Sequence, residues 1–145
     1  MFLLKRKKND EQRAVYESII TNARNPILYT EYTVPDNPAG RFQMIVLHAM
    51  PVMLGYMKTN NSTAVQNLFD MIFADIELSF REIGVGDLSV PKKMKAYMKD
   101  FNGVLHAHAA AGADHVAITQ KNVFGDDAQM NEQFADYIRL LFQGV

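Results

Sequence analysis

The sequence predicts an all-α protein, a single-domain bundle of about six helices around a central apolar helix. Three observations carry that expectation. Apolar residues recur at helical spacing in long segments, and no segment sustains the alternation of a strand. Helix-stopping residues fall between those segments, at Asn25-Pro26, Asn60-Asn61-Ser62, Gly84 to Pro91, Gly112 and Gly125. The chain of 145 residues has no internal repeat, low-complexity tract or long linker, and its 48% hydrophobic content supplies one core.

The first residues, Met1 to Leu4, are apolar, and Lys5, Arg6, Lys7 and Lys8 follow as a run of cations. The charges come after the apolar part, which is too short for a signal peptide, and the stretch is no Arg- and Ser-rich presequence. Residues 1–9 are expected to form a flexible basic N-terminus, and 10–145 a single helical domain. An apolar tip beside cations suits an anionic membrane or ribosomal RNA, at about 1 kcal/mol per cation near a charged bilayer. Asp10 can cap a first helix to about Ala23, with Ala14, Val15, Ile19 and Ala23 at helical spacing and Ile20 alongside. Asn25-Pro26 ends it, because a residue before proline avoids the α region. Ile27 to Thr33 reads as irregular chain or a short helical turn, and Val34 to Gly40 as a turn with two prolines.

From Phe42 to Met57 only Gln43 and His48 are clearly polar. A helix apolar all round is buried in a core or in a membrane. A span needs about 20 such residues, so this shorter run, with Pro51 inside it, reads as a central, buried, proline-kinked helix. Ser62 or Thr63 can cap the next helix, Val65 to Ile83, whose stripe is Phe69, Ile72, Phe73, Ile76, Phe80 and Ile83. Then comes a corner, Gly84 to Lys93. Gly84 and Gly86 can stop a helix, Asp87 and Ser89 are both candidate N-caps, and Pro91 fits a first helical turn. The helix after it, to about Ala111, repeats Met94, Tyr97, Met98, Phe101 and Leu105, with Lys92, Lys93, Lys95 and Lys99 as a basic flank. Gly112 stops that helix, and Asp114 caps a shorter one through Val123. Asp126 or Asp127 caps the last, to Phe142, with the stripe Met130, Phe134, Tyr137, Ile138 and Leu141.

Composition narrows the chemistry. A net charge of −1 gives no ground for wholesale nucleic-acid binding or for a specific nucleic-acid sequence as partner. The absence of cysteine excludes disulfides, zinc-thiolate sites, a cysteine nucleophile and a covalent c-type haem site. Nine Met and no Trp suit core filling first and an adaptable binding surface second. His106 and His108 point about 200° apart on a helix, and a break at Gly112 separates His108 from His115, so no metal site is expected. His48, alone on an apolar helix, reads as a core histidine bonded to a carbonyl or carboxylate, with Asp75 a candidate partner. The carboxylates Asp70, Asp75, Glu77 and Glu82 share one helix and read as solvated. With no nucleophile elbow, P-loop or dinucleotide fingerprint, neither catalysis nor a cofactor is expected.

Two separated stretches resemble one family. "REIGVGDLSVPKKMK", Arg81 to Lys95, is similar to the signature of the ubiquinol–cytochrome c chaperones, assembly factors of respiratory complex III. "NPILYTEYTVPDNPAGRFQMIVLH", Asn25 to His48, resembles the same family's opening block, and the resemblance covers roughly Val15 to Gly103. It implies a non-enzymatic chaperone that holds nascent or unassembled cytochrome b, with the ribosome and the inner-membrane surface as further partners. A start at Met1 without a transit segment, close to the recognisable block, leads to the expectation of a bacterial, cytoplasmic version at the inner membrane, with the oligomeric state left open. The candidate partner-binding residues are Arg41, His48, Asp75, Asp87, Ser89, Pro91, Lys92 and Lys93, and the basic run Lys5, Arg6, Lys7 and Lys8 is the candidate membrane or ribosome contact. One departure stands out: where the family shows aromatic-Gly-Arg after the corner, Phe101-Asn102-Gly103-Val104 lacks the Arg. From about His106 onward the resemblance is weak. Two other readings stay open, a small-ligand-binding helical protein using His48 and a peripheral membrane scaffold without catalytic activity.

Overall fold

The computed structural model describes residues 2–84, 86 and 88–145, and the side chains of all of these but Phe2 and Lys5. Among them the fold is all-helical, one packed domain of six longer helices and one four-residue turn. In order these are α1 (Phe2–Ala23), α2 (Ile27–Thr30), α3 (Pro38–Lys58), α4 (Ser62–Glu82), α5 (Val90–Ala109), α6 (His115–Val123) and α7 (Glu132–Leu141).

The expected central helix is α3. Phe42, Met44, Val46, Leu47, His48, Ala49, Met50, Met53 and Leu54 are all buried, on every side of the axis. Its neighbours α1, α4, α5 and α6 supply the surroundings that such a helix needs. It runs through Pro51 without interruption. Among the described residues no helix is long and apolar enough to cross a membrane. Around α3 the other helices bury one stripe each, such as Tyr16, Ile19 and Ala23 of α1 and Phe134, Ala135 and Ile138 of α7. Met44, Met50, Met53, Met94 and Met130 are all buried, so the methionine bias is largely core filling.

Several helix starts differ from expectation. α1 begins at Phe2, and Asp10 lies inside it rather than capping it. Asn61, not Ser62 or Thr63, caps α4, because its side chain reaches the Ala64 N–H at 3.1 Å. Asn131, not Asp126 or Asp127, caps α7 through the Phe134 N–H. That delay has a cause: the Gln120 amide donates to the Gly125 and Ala128 carbonyls and accepts from the Met130 N–H, pinning the intervening loop. Asp114 caps α6 as expected, with Gly112 and Gly125 at positive φ beside the breaks. Ser89 sits at the start of α5 in a helical conformation, and its side chain makes no capping bond. Asp87 lies outside the described residues.

The two-proline turn before α3 is tightly built. Asn37 accepts from the Gly40 N–H at 2.8 Å. A Cβ on Gly40 would lie 1.8 Å from the Pro35 carbonyl oxygen, so only glycine lets the turn fold back onto the helix. This holds Asp36 and Arg41 side by side at 2.8 Å.

Candidate functional site

α1 and α4 run side by side in the same direction. Gln12 bonds the Ala64 carbonyl and Asn67 near the start of α4, Tyr16 donates to Asp75, and Ala23 lies near Phe80. Where both helices end, the first turns of α3 and the Tyr97 side chain of α5 complete a cleft of about 710 Å³. That size falls within the usual range of ligand sites.

The cleft has an apolar body and a polar edge. Ile20 of α1, Phe42 and Ile45 of α3, and Ile76 and Phe80 of α4 form its walls. Its floor is a ring stack in which Tyr97 lies 4.3 Å from Phe42 and 5.4 Å from Phe80, centroid to centroid. Ile83 stands at the lip and is 68% exposed, although the stripe of α4 placed it with the core. As the C-cap residue it lies just beyond the last helical turn. On the polar edge are Arg24, Asp36, Arg41 and Glu82. The bond to Asp36 raises the Arg41 pKa, so this rim cation keeps its charge. Tyr29 donates to the Ala23 carbonyl at 2.9 Å, and burial pushes its phenol up, leaving it neutral.

The residues singled out from sequence do not form one site. Arg41 lies on the cleft rim. Ser89, Pro91, Lys92 and Lys93 are exposed at the corner and do not line the cleft. His48 is buried. Its Nδ1 lies 2.7 Å from the Met44 carbonyl, which can only accept, so the proton sits on Nδ1. Its Nε2 then accepts from the Tyr137 hydroxyl at 2.5 Å. Burial lowers the His48 pKa and raises that of Tyr137, so both are held neutral. The expected partner Asp75 is elsewhere, accepting from the Tyr16 hydroxyl. Burial first and this bond second raise the Tyr16 pKa. His48 and Asp75 thus brace helices against each other. The sequence pointed to a carboxylate for His48 because nothing in it shows that α7 reaches back across 89 residues to offer a phenol.

Two further histidines do meet. The turn at Gly112 folds α6 back, so the Nδ1 atoms of His108 and His115 come within 2.8 Å. Phe142 stacks on both rings. Burial lowers both pKa values, that of His108 to about 4. A helix break had argued that they were separate, yet the break is what brings them together. Among the described residues no group of three or more His, Cys, Asp or Glu converges to hold a metal ion.

Comparison with known proteins adds to this geometry. The model of the family described as ubiquinol-cytochrome C chaperone matches residues 30–144. A solved structure described as the crystal structure of the Cbp3 homolog from Brucella abortus is 30% identical, with a TM-score of 0.74. The similarity covers 100% of this chain and 90% of that one. None of the curated proteins compared with the chain matches it. The family match runs past His106 to the end of α7, so the C-terminal helices belong to the shared unit.

Proposed function

Since the chain belongs to the ubiquinol-cytochrome C chaperone family, we propose that it captures newly made cytochrome b in the cleft and so aids assembly of respiratory complex III. The observation that carries this reading is the cleft itself: apolar walls, a stacked aromatic floor, and the exposed lip at Ile83. An unassembled membrane protein exposes apolar helices at a cost of about 25 cal/mol per Å². The walls offer cover for such side chains, while Arg41 and Asp36 at the rim meet the polar end of a segment. The role needs no bond-making chemistry, and we read the protein as non-catalytic.

The overhanging start of α1 belongs to this reading as well. Gln12 pairs with the first turn of α4, so the residues before it project beyond the bundle, with Arg6, Lys7 and Lys8 exposed. These cations suit the phosphates of ribosomal RNA near the point where the client emerges. The small-ligand reading loses its basis at His48, which is buried and does not line the cleft.

The test is a tagged pull-down from detergent-solubilised membranes of the source cell, read by mass spectrometry. Cytochrome b is enriched with the unaltered protein and depleted with Ile83→Glu, a change at an exposed position that the fold tolerates. Equal recovery with both proteins, or normal cytochrome b and complex III activity after chromosomal deletion, would sink the proposal.

A further inference from the structure

One wall of the cleft is held differently from the others. α1, α3 and α4 are helices of 22, 21 and 21 residues, each with several side chains in the core. Residues 26–32, which bring Pro26, Tyr29 and Thr30 to the cleft, contain only the four-residue α2, and Leu28 is their one buried side chain. Further contacts tie them to α1 and α7. Tyr29 donates to the Ala23 carbonyl, and Tyr32 stacks on Phe134 at 5.3 Å and tilts against Tyr137. The Glu31 carbonyl accepts from the Asn131 side-chain amide at 2.8 Å. Asn131 also caps α7 through the Phe134 N–H, so this wall and the start of α7 share one side chain. Thr33 joins the wall to the two-proline turn, which is packed against α3 at Gly40. Its φ is 60°, in the left-handed region where glycine usually ends a helix. Asn60 has φ 55°, but asparagine tolerates that region, whereas a β-branched side chain there is strained. One backbone bond crosses the junction, from the Val34 N–H to the Leu28 carbonyl at 3.0 Å. Any turn of Thr33 out of the left-handed region redirects that N–H and breaks the bond.

We propose that residues 26–32 are a hinged wall, which turns about Thr33 to widen the cleft and is latched shut by the start of α7. The use of such a wall rests on the capture reading. A helix about 10 Å across rises 1.5 Å per residue, so a cleft of about 710 Å³ holds roughly six residues of one. An apolar membrane helix runs to about 20 residues, and seating more of it requires a wall to give. The long helices cannot give without disrupting the core, whereas this wall has one core anchor. Strain at Thr33 favours its release. The Asn131 bond and the Tyr32 stack oppose release, and both come from α7, so the position of that helix sets the balance.

The test contains no client. Backbone hydrogen exchange of the purified full chain is followed amide by amide by NMR and corrected for intrinsic rates. Opening at Thr33 exposes the Val34 amide without unfolding the bundle. Val34 is therefore expected to exchange about a hundredfold faster than Val46, in the buried middle of α3. Thr33→Asn relieves the strain of the closed wall and slows Val34 exchange about tenfold. Thr33→Val keeps the branched Cβ and leaves the rate unchanged. Asn131→Asp keeps an oxygen to cap α7 but loses the donor to Glu31. It speeds Val34 exchange about fivefold, with Phe134 exchange unchanged. Val34 exchanging only at the Val46 rate, by unfolding of the whole chain, would overturn the proposal. So would a Val34 rate indifferent to Thr33→Asn or to Asn131→Asp. None of these rates depends on what the cleft captures, and a pull-down without cytochrome b would leave them as they are.

Discussion

Gly40→Ala sets two effects of opposite sign against each other. Alanine is the better helix former by about 1 kcal/mol in a helix interior, and Gly40 lies in the first turn of α3. On propensity alone the change would stabilise. The added Cβ, however, would sit 1.8 Å from the Pro35 carbonyl oxygen, with the Asn37 Oδ1 atom at 3.5 Å. The obstacle is backbone, which must retreat by more than an ångström. Overpacking of this kind costs about 1–3 kcal/mol, and a loosened Asn37 cap adds about 1 kcal/mol. The clash wins, for a net loss of about 2 kcal/mol, or a fall of about 4–8 °C in Tm for a chain of this length. Gly55→Ala, on the same helix, is the matched control. Nothing lies within 4 Å of its Cβ, so propensity acts unopposed and Tm rises by a few degrees. Thermal unfolding followed by circular dichroism reads both. A Gly40→Ala protein that melts at or above the unaltered one would refute the claim that the two-proline turn is locked against α3.

Tyr137→Phe leaves the buried Nε2 of His48 without its donor, and urea unfolding should show a loss of about 1–3 kcal/mol. The two buried histidines give the fold a pH dependence. The folded pKa of His108 lies at about 4, below its ordinary 6.5, so the unfolded chain binds more protons between those values. Stability from this group is full above about pH 6.5 and falls as pH drops towards 4, by an amount approaching 3 kcal/mol. His115 and His48 shift the same way. His108→Asn, measured by denaturant midpoint at several pH values, should show a shallower slope over that window. Gln120→Ala removes three bonds to the loop before α7 and should lower stability by about 1–2 kcal/mol, measured by urea unfolding.

The parts of the fold that were legible are those written in local pattern. The all-round apolar run from Phe42 to Met57, too short for a membrane span, read as a buried helix, and the stripes of α4, α5 and α7 announced their core faces. Helix starts were less legible. Asn61 and Asn131 compete with nearby Ser, Thr and Asp for the same capping role, and only the loop held by Gln120 decides the second case. The cleft was legible in one residue, Arg41. Its walls were not, because Ile20, Ile45 and Ile76 satisfy helical stripes as well as any core residue does. What makes them a site is that two parallel helices end together, and no local pattern records that. His48 and Asp75 were drawn together by charge and type, yet each found a tyrosine from a distant helix.

The most direct test of the account is photocrosslinking from a benzophenone amino acid placed at the lip of the cleft. Ile83 and Leu140 are almost equally exposed, at 68% and 69%, but only Ile83 borders the cleft. In cells making cytochrome b, the probe at Ile83 should give an adduct with cytochrome b, and the probe at Leu140 should give none. Adducts of equal yield from both positions, or none from Ile83 while the protein remains folded and abundant, would contradict capture in this cleft.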